Sequence, residues 1–82
     1  MKAAVFGLGR AGLPLAAVMA DAGIEVVGYD VDPLRVEAVN RGENPIPEEE
    51  GLGSLLAKYG GRRIKATVDV KDAADATAYI VI

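Results

Sequence analysis

The stretch GLGRAG carries three glycines, Gly7, Gly9 and Gly12, at the spacing G-x-G-x-x-G. Glycines at this spacing permit a tight turn, close approach of a phosphate to the main chain, and close packing of a following helix. Backbone N–H groups at such a turn, helped by the helix dipole, attract negatively charged phosphates. The motif alone is weak evidence, because 10 of the 82 residues are glycine and the pattern arises by chance.

An acidic residue strengthens this interpretation, since Asp30 follows Gly12 by 18 residues, close to the spacing expected of a dinucleotide site. Its carboxylate would accept hydrogen bonds from both adenosine ribose hydroxyls and repel a 2′-phosphate, which favours NAD over NADP. Arg35 could reach the ribose or the pyrophosphate, and the N–H groups around Arg10 and Ala11 would face the phosphates. The alternatives are a turn without ligand, a solvated acid and a solvated arginine.

The elements around these residues alternate between strands and helices. The pattern predicts a buried strand at residues 2–7 (KAAVFG) and a helix of small residues at 11–22 that ends at Gly23. A second strand is predicted at residues 24–30 (IEVVGYD). The glycine motif therefore lies between a strand and a helix, which is the context that dinucleotide binding requires.

Two further helices are predicted downstream. Asp32 is a candidate N-cap, Pro33 suits the first helical position and Gly42 suits the residue just past the helix. Residues 48–50 (EEE) are interpreted as acids in the first turn of the next helix, which ends at Gly60. The apolar face of that helix has the helical spacing i, i+3, i+4, i+7 and consists of Leu52, Leu55, Leu56 and Tyr59.

The remaining residues predict two more strands, at residues 64–69 (IKATVD) and at residues 79–82 (YIVI), with a short helix or turn between them. The last strand is wholly apolar, and we expect it to be central in the sheet. Alternating strands and helices indicate an α/β fold, a Rossmann-like parallel sheet with flanking helices. Because residues 1–82 end within a strand, we expect them to be the amino-terminal portion of an NAD-binding domain in a longer protein.

Composition excludes several kinds of function. The chain has no cysteine and no histidine, so we expect no disulfide, no zinc or other metal site, and no catalytic residue of the thiol or imidazole type. A formal net charge of −3 argues against nucleic acid and anionic membranes and favours a small-molecule partner. The sequence lacks a signal peptide and any long apolar span, so we expect a cytoplasmic protein.

Three segments carry a resemblance to a known family: VFGLGRAGLPLA, GYDVDPLRVEAVNRGENPIPEEEGLGSLL and IKATVDVKDAADATAYIVI. Together they resemble the NAD-binding domain of the UDP-glucose/GDP-mannose dehydrogenases over essentially the whole chain. The specific features are GLPLA after the glycines, a D-x-D with an arginine five positions after its first acid, the segment N-x-G-x-x-P-I-x-E, and the A-T-x-D strand. The segment NPIPEEEGL is nearer to the UDP-N-acetylmannosamine and UDP-N-acetylglucosamine dehydrogenases.

This resemblance implies an oxidoreductase that oxidises the C6 hydroxymethyl of a UDP-sugar to a carboxylate in two NAD-dependent steps, for polysaccharide biosynthesis. The reaction passes through a thioester on a cysteine of downstream domains, and we expect the parent enzyme to be a homo-oligomer. The pyrophosphate would be lined by Gly7, Gly9, Arg10, Ala11 and Gly12. The adenosine ribose would be held by Asp30 and Arg35.

The chain departs from the family pattern at Arg10 and Ala11, where an aromatic and an aliphatic residue are usual. It also stops before the segment V-P-T-P. Two alternatives therefore stay open. One is a stand-alone or regulatory Rossmann module that senses a nucleotide, and the other is an NAD(P) oxidoreductase of the β-hydroxyacid dehydrogenase kind.

Overall fold

The chain forms one parallel sheet with helices against it. A computed structural model describes residues 1–46 and 51–82, so the acids predicted at residues 48–50 lie outside the described residues. The elements, in chain order, are β1 (Lys2–Phe6), α1 (Gly12–Asp21), β2 (Glu25–Tyr29), α2 (Pro33–Asn40), α3 (Leu52–Tyr59), β3 (Ile64–Thr67), a 3-10 helix (Val70–Ala73) and β4 (Ala78–Val81).

The strands are all parallel and lie in the order β3-β2-β1-β4. The predicted α/β Rossmann-like architecture is therefore confirmed. Phe6 pairs with Tyr29 on one side and with Val81 on the other, so the carboxyl ends of β1, β2 and β4 lie at one edge. In such a sheet, ligands bind at this edge.

Among the described residues β4 pairs with β1 alone and its other hydrogen-bonding side is open, so its expected central position stays a prediction for a longer protein. The apolar sequence YIVI does not itself specify how many neighbouring strands β4 has. That number depends on which strands pair with it in the folded sheet. Tyr79 and Val81 are 52% and 77% exposed. The strands with neighbours on both sides are β1 and β2, and β1 buries three successive residues, Ala3, Ala4 and Val5.

Helix α2 begins and ends where the sequence predicts. The Asp32 side chain accepts hydrogen bonds from the N–H groups of Leu34 (3.0 Å) and Arg35 (3.5 Å), and Pro33 occupies the first helical position. Gly42 follows the helix with φ +76°, a left-handed conformation that suits glycine. This capping fixes the direction in which the helix leaves the end of β2.

The main core lies between one face of the sheet and the three α-helices. A glycine in β2 makes room within it, because a Cβ on Gly28 would lie 2.7 Å from a methyl carbon of Leu8, whose side chain is fully buried. The opposite face has a smaller cluster of Ala4, Val27 and Ala73. The larger buried side chains of the main core are Val5, Leu8, Leu13, Val26, Val39, Leu56 and Ile64.

A second glycine-rich region joins α2, α3 and β3. The Asn40 side chain donates to the Ala66 carbonyl (2.9 Å) and accepts from the Ala66 N–H (2.8 Å), so it pairs with the outer edge of β3. Cβ atoms on Gly42 or Gly60 would meet backbone atoms of neighbouring turns, and one on Gly61 would overlap the Asn40 carbonyl. These glycines permit close packing of backbone segments.

No helix in the described part of the chain is long and apolar enough to cross a membrane.

Candidate cofactor-binding site

The first and last glycines of the motif are required by the turn itself. Gly7 has φ +104°, and its N–H donates to the Tyr29 carbonyl at 2.8 Å. A Cβ on Gly12 would overlap the Gly7 carbonyl and lie 3.4 Å from a methyl carbon of Val5. The turn and the close packing of α1, predicted from the spacing, are both present.

The middle glycine differs from the other two. Gly9 has no left-handed φ, and the nearest atom to a Cβ placed on it is Nη1 of Arg35, 3.8 Å away. The described fold would therefore accept a side chain at this position. Because Gly9 has no side chain, space is open beside the main chain, on the side from which a phosphate would approach.

The turn also has backbone donors without partners. Within residues 1–46 and 51–82, no acceptor takes a hydrogen bond from the N–H groups of Gly9, Ala11 or Gly12. Ala11 is the exposed N-cap of α1 and supplies no capping side chain. Arg10 is also exposed. These N–H groups lie where the positive end of the α1 dipole favours an anion.

Asp30 follows β2 and is bonded to the backbone of two loops. Its Oδ2 accepts from the Leu8 N–H at 2.9 Å, and its Oδ1 accepts from the Asp32 N–H, also at 2.9 Å. The carboxylate therefore links the glycine turn to the start of α2. Sequence reasoning assigned Asp30 to the ribose alone and missed this second role, since the spacing of residues does not reveal which amides face a carboxylate.

The surroundings of Asp30 favour its ionised form. Partial burial acts to raise the pKa of its carboxyl group, but the N–H groups of Asp32 and Leu8 and the positive charge of Arg35 outweigh burial and lower this pKa from 3.8. The group is thus a carboxylate at neutral pH. A carboxylate has about four lone-pair positions, so each oxygen retains an acceptor position beyond its amide partner.

Arg35 lies on the far side of the opening beside Gly9. Its side chain is half-buried, and its Nε is buried without a hydrogen-bond partner among the described residues. The atom that faces the space beside Gly9 is Nη1, and a guanidinium at this position can donate to an anion bound there. The predicted residues Gly7, Gly9, Gly12, Asp30 and Arg35 therefore come together at one edge of the sheet.

Comparison with known proteins identifies the fold and the type of site. The family model for the NAD-binding domain of the UDP-glucose/GDP-mannose dehydrogenases matches residues 1–82. The chain belongs to this family. NAD is accordingly its cofactor, and the family match decides against the β-hydroxyacid dehydrogenase alternative.

Curated relatives and solved structures agree with this assignment. The chain is 40% identical over 80 residues to GDP-mannose 6-dehydrogenase of Azotobacter vinelandii and 37% identical over 78 residues to a UDP-glucose 6-dehydrogenase of Haloferax volcanii. These alignments cover 94% and 95% of the chain and 18% of each relative.

A ternary complex of GDP-mannose dehydrogenase from Pseudomonas aeruginosa matches all of the chain with a TM-score of 0.91 and 35% identity, and the match covers 19% of that protein. A UDP-glucose dehydrogenase from Pyrobaculum islandicum matches 98% of the chain with a TM-score of 0.87 and 33% identity, over 19% of its own length. The chain thus spans about a fifth of the length of each of these four proteins.

The residues present fit a dinucleotide of this family. Open space beside Gly9, N–H groups at the start of α1 that have no partner among the described residues, and the Arg35 Nη1 that faces this space are features that suit a diphosphate. No group of three metal-ligating side chains occurs among the described residues.

Proposed function

We propose that residues 1–82 are the amino-terminal, NAD-binding part of a nucleotide-sugar 6-dehydrogenase. The observation that carries this proposal is the open space on one side of Gly9. Packing of the described residues does not require a glycine there, and a Cβ at this position would face the Arg35 side chain. Bound NAD supplies the acceptor for a hydride from C6 of the sugar. Family membership supports the oxidation of the C6 hydroxyl to a carboxylate.

Each predicted site residue has a separate task in this proposal. Gly7 and Gly12 shape the turn, while the open side of Gly9 admits the pyrophosphate to the amides around Arg10 and Ala11. These contacts position the cofactor and do not themselves transfer protons.

The ribose end of the cofactor is assigned to the other two residues. The outward lone pairs of Asp30 accept from the adenosine ribose hydroxyls, and the Arg35 guanidinium binds the ribose or the pyrophosphate. A carboxylate held ionised by its neighbours would repel a 2′-phosphate.

The substrate and the catalytic groups belong to the wider proposal. Without histidine or cysteine, this chain would rely on the remainder of a longer protein for the thiol nucleophile and for the sugar site. We propose a UDP-sugar as substrate, which the segment NPIPEEEGL favours. Relatives named for GDP-mannose are about equally similar, so assays should include both nucleotides. A cytoplasmic location and assembly with further copies of the chain complete the proposal.

Replacing Gly9 by valine tests the proposed site directly. Because the new side chain enters the phosphate space and not the core, Gly9→Val should abolish detectable NAD binding in calorimetry while the unfolding midpoint changes little. Gly53→Val is the matched control, since a Cβ on Gly53, in α3, would meet only the Asn44 side chain, at 3.9 Å, among the described residues. Normal NAD binding by Gly9→Val would show that the motif has only a structural role.

Cofactor preference tests the role of Asp30. We expect the protein to bind NAD more than about tenfold more tightly than NADP, a difference of at least about 1.4 kcal/mol. Dissociation constants for both cofactors, measured at one salt concentration, are sufficient. Equal affinities, or a preference for NADP, would contradict the assignment of Asp30 to the ribose without affecting the assignment of the glycine turn to the phosphates.

A further inference from the structure

A second cleft, of about 740 Å³, lies at the opposite end of the sheet. Lys2 and Glu25, which begin β1 and β2, line it, together with Arg63, which directly precedes β3. The glycine turn begins at Gly7, five residues along β1, a separation of about 16 Å for an extended strand. The cleft is therefore separate from the candidate cofactor site.

Positive charge is concentrated around this cleft. Five of the nine lysines and arginines of an acidic chain line it, with Glu25 as the one lining carboxylate among the described residues. One of the five cations is already paired, because Lys2 binds the exposed Asp75 at 2.9 Å. The other four make no ion pair within the described part of the chain, and they are Lys58, Arg62, Arg63 and Lys65.

Two of these cations are held in position by their surroundings. Arg63 donates to the Ala20 carbonyl at 3.2 Å and lies 5.5 Å from the centre of the Tyr59 ring. Lys58 lies 5.3 Å from the same ring, and the Tyr59 hydroxyl donates to Asp21 at 2.8 Å. The ring is thus fixed at one end and accompanied by two cations, an arrangement that orients their charges before any ligand arrives.

A purely structural explanation accounts for part of this arrangement. Arg62 and Arg63 each donate to a carbonyl near the carboxyl end of a helix, at Lys58 and Ala20, where positive charge is favourable. One such bond uses one of the five N–H donors of a guanidinium. The same explanation covers Lys58, which lies in the last turn of α3, but not Lys65, which is exposed and lines the same cleft.

We propose that this cleft is a second binding site, for a compact anion that carries at least two phosphate groups. Several cations that line one cleft suit multiple phosphate charges, and arginine forks suit phosphate geometry. The cleft has the volume typical of small-molecule sites, whereas the net charge of −3 disfavours a long polyanion. The anion is either inorganic pyrophosphate or the diphosphate of a nucleotide.

Calorimetry with inorganic pyrophosphate on the full-length protein tests the proposal. The Gly9→Val background removes the glycine turn as a competing phosphate site. In this background we expect a pyrophosphate site whose affinity falls by about tenfold when Arg63→Gln is added and by about threefold when Lys65→Gln is added. Lys65→Gln removes an exposed side chain, so it remains informative if Arg63→Gln fails to fold.

Lys71→Gln is the matched control, because Lys71 is exposed and does not line this cleft. Its affinity for pyrophosphate should stay unchanged. Absence of pyrophosphate binding would overturn the proposal. An equal loss of affinity in Lys71→Gln and Arg63→Gln would also overturn it, because such a result indicates an effect of overall charge and not of a defined site. A parallel titration with UDP identifies the source of the phosphates. Arg63-dependent UDP binding supports a nucleotide ligand, and binding of pyrophosphate alone supports the inorganic anion.

Discussion

Two glycine-rich regions of this chain look alike in sequence and differ in what surrounds them. At the junction of α2, α3 and β3, Cβ atoms on Gly42, Gly60 and Gly61 would all meet backbone atoms of neighbouring turns. In the turn after β1 this holds for Gly12, whereas a Cβ on Gly9 would meet only the end of an arginine side chain. The comparison teaches that the space around a glycine, and not the number of glycines, separates a ligand site from a packing contact.

The largest effect is expected at the packing junction. A Cβ on Gly60 would lie 2.7 Å from the Leu56 carbonyl oxygen and 2.8 Å from the Gly42 Cα, and the Val39 carbonyl would also have to move. We expect Gly60→Ala to lower the free energy of unfolding by about 3 kcal/mol or more, because three backbone segments must shift. Urea denaturation measures this change.

Gly53→Ala, in the same part of the chain, provides the control for that experiment. Gly53 is in α3, and a Cβ on it would make only ordinary contacts with the Asn44 side chain among the described residues, so alanine there should stabilise the protein by up to about 1 kcal/mol. If both variants changed stability equally, the distinction between packed and open glycines would not hold.

An intermediate loss of stability is expected on replacing Asp30, whose carboxylate links the glycine turn to the start of α2. In Asp30→Asn one of the N–H groups of Leu8 and Asp32 would face an amide NH₂ instead of an oxygen. We expect a loss of about 1–3 kcal/mol in the free energy of unfolding at pH 7. Asp32→Asn is the control, because asparagine caps a helix as well as aspartate does.

The pH dependence of this effect has a definite sign. The pKa of Asp30 is lowered in the folded state, so its stabilising contribution is present above its ordinary value of 3.8 and is lost as the pH falls through the folded value. The difference in stability between wild type and Asp30→Asn should therefore shrink on acidification below about pH 4. A difference that stays constant down to pH 2 would contradict the lowered pKa.

The sequence predicted those features that depend on neighbours along the chain. The cap at Asp32, the end of α2 before Gly42 and the strand-turn-helix context of the glycine motif are all local, and each is present. The features it missed depend on contacts between distant segments. Asn40 binds the edge of β3, Gly28 makes room for Leu8, and Asp30 binds two amides.

The pairing partner of β4 and the basic cleft could not be predicted for the same reason. An apolar strand has the same sequence pattern in the centre and at the edge of a parallel sheet. The position of β4 in the sheet is set by its pairing with β1. Lys2 and Arg63 are far apart in sequence and come together because parallel strands begin at one edge. Charge clusters of this kind become visible only in the folded chain.

The smallest change in stability and the clearest change in binding are expected together at Gly9. In Gly9→Ala a single Cβ enters the open space, so the free energy of unfolding should stay within about 0.5 kcal/mol of wild type. NAD affinity should fall by at least about tenfold, because the added methyl occupies the approach of the pyrophosphate. The decisive measurement is the NAD dissociation constant of Gly9→Ala, taken on protein whose unfolding curve matches wild type. A weakened constant confirms that Gly9 serves the ligand, and an unchanged one would contradict the assignment of this turn to the cofactor.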